Sequence, residues 1–503
     1  RPSRPTLPRP PLLGLTTMRR PAARPLLAGA TALTAGVTAA GVLLADPNRR
    51  THLRRSARVW RLTGRRGAAW ALVKVRGRRA DDARRAALEE AFVIRTAEDV
   101  ARELGNMKGV VMKAGQMVSF IAEGLPPDAR AALATLQADV LPMAPSLAER
   151  VVREELGDTL PRLFLDWDPI PVAAASIGQV HRAVMPDGRL VAVKVQYPGI
   201  DRAITSDLDN AEFLYRLFSS LALKSLDARA LVDELRDRMG DELDYRLEAA
   251  SQTEFAARYR GHPFIHVPDV VPERSSRRVL TSEWVEGRPW EEFLATADRP
   301  TRQRAGEVLF RFSQGSVHRH RVFNGDPHPG NYRFHPDGSV TFLDFGLVKR
   351  WAPGEFEQLT PVLDALLAHD AEATVHHLVG AGFLAPDHGL DPGLVWDYVS
   401  NPYAPYLSET FTFSQAWTAA ALGRALDLSG PAAGVLERLD MPSSFVILDR
   451  VIWGVSALLG RLEATGSWRA ILDEYRKAAS PETEMGRAEA AWMASGVTTG
   501  GGW

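Results

Sequence analysis

Asp326, Asn331 and Asp344 are the residues whose types and spacing could do chemistry together. Asp326 and Asn331 stand five apart within Asn324-Gly-Asp-Pro-His-Pro-Gly-Asn331, and Asp344 opens the tripeptide Asp344-Phe-Gly346. Between them, Tyr332-Arg-Phe, the turn signal Pro336-Asp-Gly338 and Val340-Thr-Phe-Leu predict a short hairpin. Phosphoryl transfer needs one carboxylate to orient or deprotonate the acceptor. It also needs an amide oxygen and a second carboxylate to hold Mg²⁺ against the phosphates. Asp326 fits the first role, and Asn331 with Asp344 fits the metal pair. A turn-rich loop that merely precedes a hairpin is the plainer alternative. Asp-Phe-Gly alone would not displace it, but two motifs at this spacing with a lysine strand upstream do.

That strand is Leu190–Gln196, joined to a preceding strand over 176–185 by the turn Pro186-Asp-Gly188. Alternation puts Val191, Val193 and Val195 on one side and Ala192, Lys194 and Gln196 on the other, so Lys194 turns toward a cleft. There it can hold the α- and β-phosphates. The whole is the layout of a protein-kinase lysine strand, catalytic loop and metal-binding Asp. The chain holds seven lysines among 61 Lys and Arg residues, so a retained lysine hints at a compact ammonium. Lys113 is another of them. It shares a helix face with Gln116 three residues on, and a solvated surface lysine is the ordinary reading of such a position.

Further motifs carry a resemblance to a named family. Lys113-Ala-Gly-Gln116 resembles the Lys-x-Gly-Gln motif of the UbiB, or ADCK-type, atypical kinases. Ala173-Ala-Ala-Ser-Ile-Gly-Gln-Val-His181 is similar to their alanine-rich loop, and Val191-Ala-Val-Lys194 to their lysine strand. Glu242-Leu-Asp-Tyr-Arg-Leu-Glu248 is similar to their Glu-x-Asp motif, and Val279-Leu-Thr-Ser-Glu-Trp-Val-Glu-Gly287 to their hinge. The resemblance covers 104–346. It implies Asp326, Lys194, Glu248, Lys113 and Gln116 as catalytic residues, with Glu248 pairing Lys194. It implies nucleotide contacts from Ala173, Ala174, Ala175, Ser176, Gln179, Lys194, Glu283 and Val285, a regulatory role for Glu242 and Asp244, and Glu242 meeting Lys113. Spacing alone puts Glu242, Asp244 and Glu248 on one predicted helix, where a solvated acidic face is the ordinary reading. In the loop, three alanines restrict the backbone near the phosphates and Gly178 remains as one flexible point.

The chain also departs from the pattern. Asn324 stands where most of the family has His, and Gly325 where many protein kinases have Arg. A helical pattern (Phe356, Leu359, Val362, Leu363, Leu366) begins soon after Gly346, leaving little room for a peptide-docking segment.

With 45% hydrophobic and 24% charged residues and zero formal net charge, this is globular material with no bulk electrostatic case for nucleic acid. The absence of cysteine removes disulfides, thiol nucleophiles and cysteine-held metal. From Pro25 to Ala45 there is no charge. As a helix this segment would be about 31 Å long, enough to anchor in a bilayer, with a signal peptide as the competing reading. Eight arginines between 49 and 66 place its C-terminal flank at the cytoplasmic face. Small residues such as Gly36 and Ala40 would permit pairing to a homodimer.

The expected architecture is an α+β, two-lobed protein-kinase-like fold. Residues 1–46 form an arm and candidate anchor, 47–165 a basic linker and helical extension, 166–288 an N-lobe with inserted helices, and 289–503 a C-lobe that is all-helical over 355–480. Phe445–Leu462, interrupted by Asp449, Arg450 and Arg461, reads as a buried or partner-facing helix. The expected function is a Mg²⁺- and ATP- or ADP-dependent kinase or ATPase at the membrane, with Mn²⁺ as an alternative metal. The resemblance implies isoprenoid-quinone or other lipid metabolism, with membrane lipids, a quinone precursor or a lipid-biosynthesis complex as partners. A protein kinase, a non-catalytic nucleotide-gated scaffold and an aminoglycoside-type phosphotransferase are the alternatives. The Lys-x-Gly-Gln motif and alanine loop speak against the last.

Overall fold

The computed structural model describes residues 143–175, 177–201, 240–425, 430 and 432–496. The candidate anchor at 25–45, Lys113, Gln116, Ser176 and the tail from 497 lie outside the described residues.

The smaller lobe is a twisted sheet backed by one helix. Helix α1 (Pro145–Leu156) starts with Pro at its first position and ends at Gly157, whose φ of 76° suits a left-handed cap. Ala148, Val151 and Val152 recur at helical spacing and are buried. Strands β1 (Asp166–Trp167) and β2 (Ala173–Ala175) both pair with one edge of β3 (Gly178–Val184), and β3 pairs with β4 (Leu190–Gln196). Val191, Val193 and Val195 lie on the α1 side and form its core with Ala148, Val151 and Val152. Each such valine is worth about 1.5–3 kcal/mol on burial. The alanine-rich stretch is therefore not a free loop. Ala173–Ala175 form a strand in register with Gly178–Val180.

Helix α2 (Tyr245–Arg258) follows, capped by Asp244, which accepts from Arg246 N. This corrects the expectation of one helix through Glu242, Asp244 and Glu248. Asp244 adopts an extended backbone (φ −125°, ψ 92°), so the chain breaks between Glu242 and Tyr245 and the i,i+4 pairing is lost. Strand β5 (Ile265–His266) then joins the larger lobe, and β6 (Val279–Glu283) returns to pair with β4.

In the larger lobe, α3 (Trp290–Thr296) and α4 (Arg299–Gln314) lead to β7 (Val322–Asn324), and then to the hairpin β8 (Tyr332–Phe334) and β9 (Val340–Phe342). Strand β5 adds parallel to β9, and β10 (Val348–Arg350) pairs back with β7. Beyond lie α5 (Glu355–Leu367), α6 (Ala371–Gly380), α7 (Pro392–Ser400), β11 (Phe411–Thr412), α8 (Gln415–Ala425), α9 (Ser443–Leu462), β12 (Thr465–Gly466), α10 (Trp468–Arg476) and α11 (Glu484–Ala494). The two-lobed α+β expectation holds. The all-helical expectation for 355–480 is corrected by the β11–β12 ribbon, which a two-residue pairing leaves without visible alternation. Helix α9 is buried, as expected, in the main core through Phe445, Leu448, Val451, Ile452 and Val455. Among the described residues no helix is long and apolar enough to cross a membrane.

Candidate functional site

The site lies where β4, α2, the loop after β7 and the turn after β9 converge. On β4, Lys194 is registered opposite Val180, away from the valine core. Its Nζ donates to both carboxylate oxygens of Glu248 on α2, each at 2.9 Å, and lies 3.6 Å from Asp344 Oδ2. Burial works to lower the Lys194 pKa, but Glu248 and Asp344 outweigh it, and the ammonium stands well above its ordinary value. Burial, with the charges of Asp344 and Glu242 adding to it, pushes Glu248 up to about 7 against the pull of Lys194. The two-pronged contact is that of an ion pair, and the upward push on Glu248 shows what the carboxylate would do without its lysine. Tyr245, at the start of α2, places its ring 5.1 Å from the Lys194 ammonium.

Asp344 is fixed by its own turn: Oδ1 accepts from Gly346 N at 3.0 Å. Phe345 is buried beneath α2 with its ring centroid 4.8 Å from that of Phe255. The Asp344 turn and the Glu248 helix therefore move as one packed unit.

Asp326 is buried, 7% exposed, at the start of the loop after β7. Its Oδ2 accepts from Asn331 Nδ2 at 3.1 Å, which turns the Asn331 carbonyl oxygen outward. Its Oδ1 accepts from Arg450 Nη2 at 2.8 Å. Asn324 ties this loop to the metal-side turn: its Oδ1 accepts from Asp326 N at 2.9 Å, and its Nδ2 donates to Asp344 O. The departure at 324 thus has a structural meaning, since an amide can donate and accept at once.

Arg450 was missed by sequence reasoning. It sits on α9, where Ile447, Arg450 and Gly454 recur at i, i+3 and i+7 and form one stripe beneath the catalytic loop. A Cβ at Gly325 would lie 2.9 Å from Ile447, and one at Gly454 would lie 2.3 Å from Pro327 Cγ. The helix and loop approach as closely as two glycines allow. The only signal in the sequence was the Asp449-Arg450 pair inside an otherwise apolar stretch, without a hint of the arginine's partner 124 residues away.

Other expected residues separate. Gln179 is registered opposite Val195, on the valine face, and is 1% exposed. Its carbonyl accepts from Met143 N at 2.8 Å and its amide meets His181 Nε2 at 2.8 Å. This corrects its expected nucleotide contact. Asp244 is held by Arg246, which also keeps its carboxyl below the usual range. Gly178 is required by space rather than flexibility, because a Cβ there would lie 2.2 Å from Val195 O. Ala173, Ala174 and Ala175 edge the β3 side of the lobe. At the hinge, Glu283 N donates to Asp269 O and its carboxylate lies 3.4 Å from His266 Nε2, whereas neither the amide nor the carbonyl of Val285 is engaged among the described residues. That free backbone suits the edge of a nucleobase. Glu242 closes the helical turn before Asp244.

The donor set fits a Mg-nucleotide. A lysine held by a buried carboxylate, an outward amide oxygen at Asn331 and a carboxylate at Asp344 are hard-cation and phosphate ligands. Bound there, Mg²⁺ would neutralise phosphate charge.

Residues 135–378 match the model of the ABC1 atypical kinase-like domain. The chain is 35% identical over 294 residues to Activity of BC1 Complex Kinase 3, chloroplastic, of Arabidopsis thaliana, covering 56% of this chain and 40% of that one. It is 30% identical over 287 residues to the mitochondrial atypical kinase COQ8 of Saccharomyces cerevisiae, covering 57% of each. The match thus spans about half the length of these curated relatives. A solved structure, the complex of Rv3197 with erythromycin from Mycobacterium tuberculosis, superposes with a TM-score of 0.56 at 32% identity, covering 74% of this chain and 93% of that chain.

Proposed function

The chain belongs to the ABC1 atypical kinase-like family, and from that premise we propose that it is a Mg-nucleotide-dependent atypical kinase or ATPase that acts at a membrane surface on a lipid or isoprenoid-quinone precursor. One observation carries the nucleotide part: Lys194, Glu248 and Asp344 form one ion-pair cluster, and Asn324 bridges it to Asp326 and Asn331. Lys194 would hold the α- and β-phosphates, and Glu248 would keep the ammonium aimed. Asp326 would orient the acceptor hydroxyl, or a water, and receive its proton.

The lipid part rests on the resemblance described above and on the uncharged 25–45 segment with its basic flank. A protein substrate is disfavoured by a specific feature. Val348–Arg350 is paired to β7, and α5 begins at Glu355, nine residues after Gly346. No docking platform fits in that span.

The test is Mg²⁺-dependent phosphate release from ATP, with and without anionic vesicles carrying a prenylated phenol, beside Asp326→Asn. Lipid-stimulated release that the variant abolishes supports the reading. Phosphate incorporated into a protein with no lipid response would replace it by a protein kinase. Nucleotide binding without turnover in either arm would replace it by a nucleotide-gated scaffold.

A further inference from the structure

A second cavity lies behind the catalytic loop, on the far side of α9. Its volume is about 110 Å³, and its walls are apolar: Leu363 from α5, Leu378 from α6, Phe383, and Leu448 from α9. Three polar side chains reach it, those of Tyr398, Tyr403 and Asp449. Tyr398 is committed, donating to Ala425 O at 3.1 Å. Among the described residues no cation pairs with Asp449. Burial drives its carboxyl up to about 7, opposed only by the Trp453 indole N–H one turn along the helix. Arg450 turns the other way, to Asp326. Arg476 of α10 acts on Tyr403, but it is paired at 2.7 Å with Asp364 and at 3.7 Å with Asp473. Met441, 38% exposed, stands at the rim and gives the cavity an apolar mouth.

We propose that this cavity binds a small apolar molecule carrying one protonated amine, with the ring or chain among the leucines and the amine against Asp449. Size and charge both favour that occupant. A dry cavity of roughly 150 Å³ holds one benzene, so this one takes a ring-sized group, with any longer tail leaving past Met441. Asp449 is half-buried, and a carboxylate among apolar walls is costly to ionise unless a cation meets it; among the described residues none does. An ammonium of the ligand supplies it. The occupied site would lie one residue along α9 from Arg450, the group that grips Asp326. The inference does not rest on the proposed nucleotide chemistry, and binding alone tests it.

The probes are 4-butylbenzylamine and its near-isostere 4-butylbenzyl alcohol, titrated calorimetrically into the full chain without nucleotide. At pH 8 the amine is expected to bind at least tenfold tighter than the alcohol, and Asp449→Asn to erase that difference while leaving the alcohol's affinity in place. Free Asp449 takes a proton near pH 7, so the amine's affinity should fall roughly thirtyfold between pH 8 and pH 5.5, about 1.5 decades. The alcohol's affinity should not fall in parallel. The pH series needs only the wild-type chain and decides the matter should Asp449→Asn fail to fold. Equal affinities for amine and alcohol, a pH-independent amine, or no binding of either probe overturns the proposal. In the first two cases Asp449 is a half-buried structural acid.

Discussion

Replacing Arg450 by methionine removes the guanidinium that holds one oxygen of Asp326 and leaves its packing stem in place. At 2.8 Å, with an effective dielectric constant near 20, the two charges attract by roughly 6 kcal/mol, most of it offset by their desolvation. The side chains are 18% and 10% exposed, so water repairs little when one partner goes. Leaving a buried carboxylate with only its Asn331 bond should destabilise the fold by about 2–3 kcal/mol. Asp326→Asn strands the arginine in turn and should cost about 2 kcal/mol. The double variant removes both charges, so its loss should fall short of the sum by about 1–3 kcal/mol. Urea unfolding of the four proteins measures this coupling. Additivity within about 0.5 kcal/mol would refute the claim that the two groups act as a pair. A positioning role predicts something more than stability. Arg450→Met should lower kcat for phosphate release while the KM for nucleotide changes little, since Lys194 and Glu248 are untouched, and Arg450→Lys should recover part of kcat. An equal loss in both parameters would assign Arg450 to scaffolding alone.

Gly454→Ala would drive a methyl into Pro327, and since helix and loop are both packed, the loop must shift. A loss of about 1–3 kcal/mol with a lowered kcat is expected, read by thermal unfolding and phosphate release. In Lys194→Met, burial raises Glu248 with no ammonium to oppose it. A folded-state pKa above the unfolded 4.5 gives stability that is present at low pH and lost as pH rises through about 7 and beyond. Wild-type Glu248 already ionises near 7, so the urea midpoint of this variant should keep falling above pH 7 where that of wild type levels off, and parallel profiles there would contradict the assignment. His318 and His320 are both held down to about 3 by burial, so below pH 6.5 the unfolded chain takes protons that the folded chain refuses. Stability should fall as pH drops from 6.5 toward 3, by up to about 1.4 kcal/mol per unit for each histidine, and His318→Gln should flatten the profile.

The legible parts of this protein were those in which one short stretch specifies its own geometry. Alternation over Leu190–Gln196 separates the valine face from Lys194 because a strand has period two, and the register with β3 follows from the Pro186-Asp-Gly188 turn. The same register carries Gln179 onto the valine face, which a motif read as a string does not reveal. The Glu242–Glu248 helix failed for a local reason. Asp is as good a cap as it is a helix-face residue, and charge spacing cannot tell the two apart. Neither the β11–β12 ribbon nor the Arg450 contact was visible, because each joins segments far apart in sequence through a pairing of two residues or a single side chain.

The stripe on α9 explains why the catalytic loop can dispense with two features of ordinary kinases. Where many protein kinases carry an arginine before the residue that corresponds to Asp326, Gly325 instead lets Ile447 close on the loop. The positive charge beside Asp326 arrives from α9 as Arg450, anchored in the core by Phe445, Leu448 and Val451. A charge carried on a buried helix cannot be withdrawn by dephosphorylating a loop. The charge beside Asp326 therefore depends on the packing of α9, whose opposite face lines the cavity at Asp449. A ligand seated there would press on α9 opposite the stripe Ile447–Arg450–Gly454, whose close contacts with the loop would carry any shift of the helix to Asp326, since tightly packed interiors transmit strain.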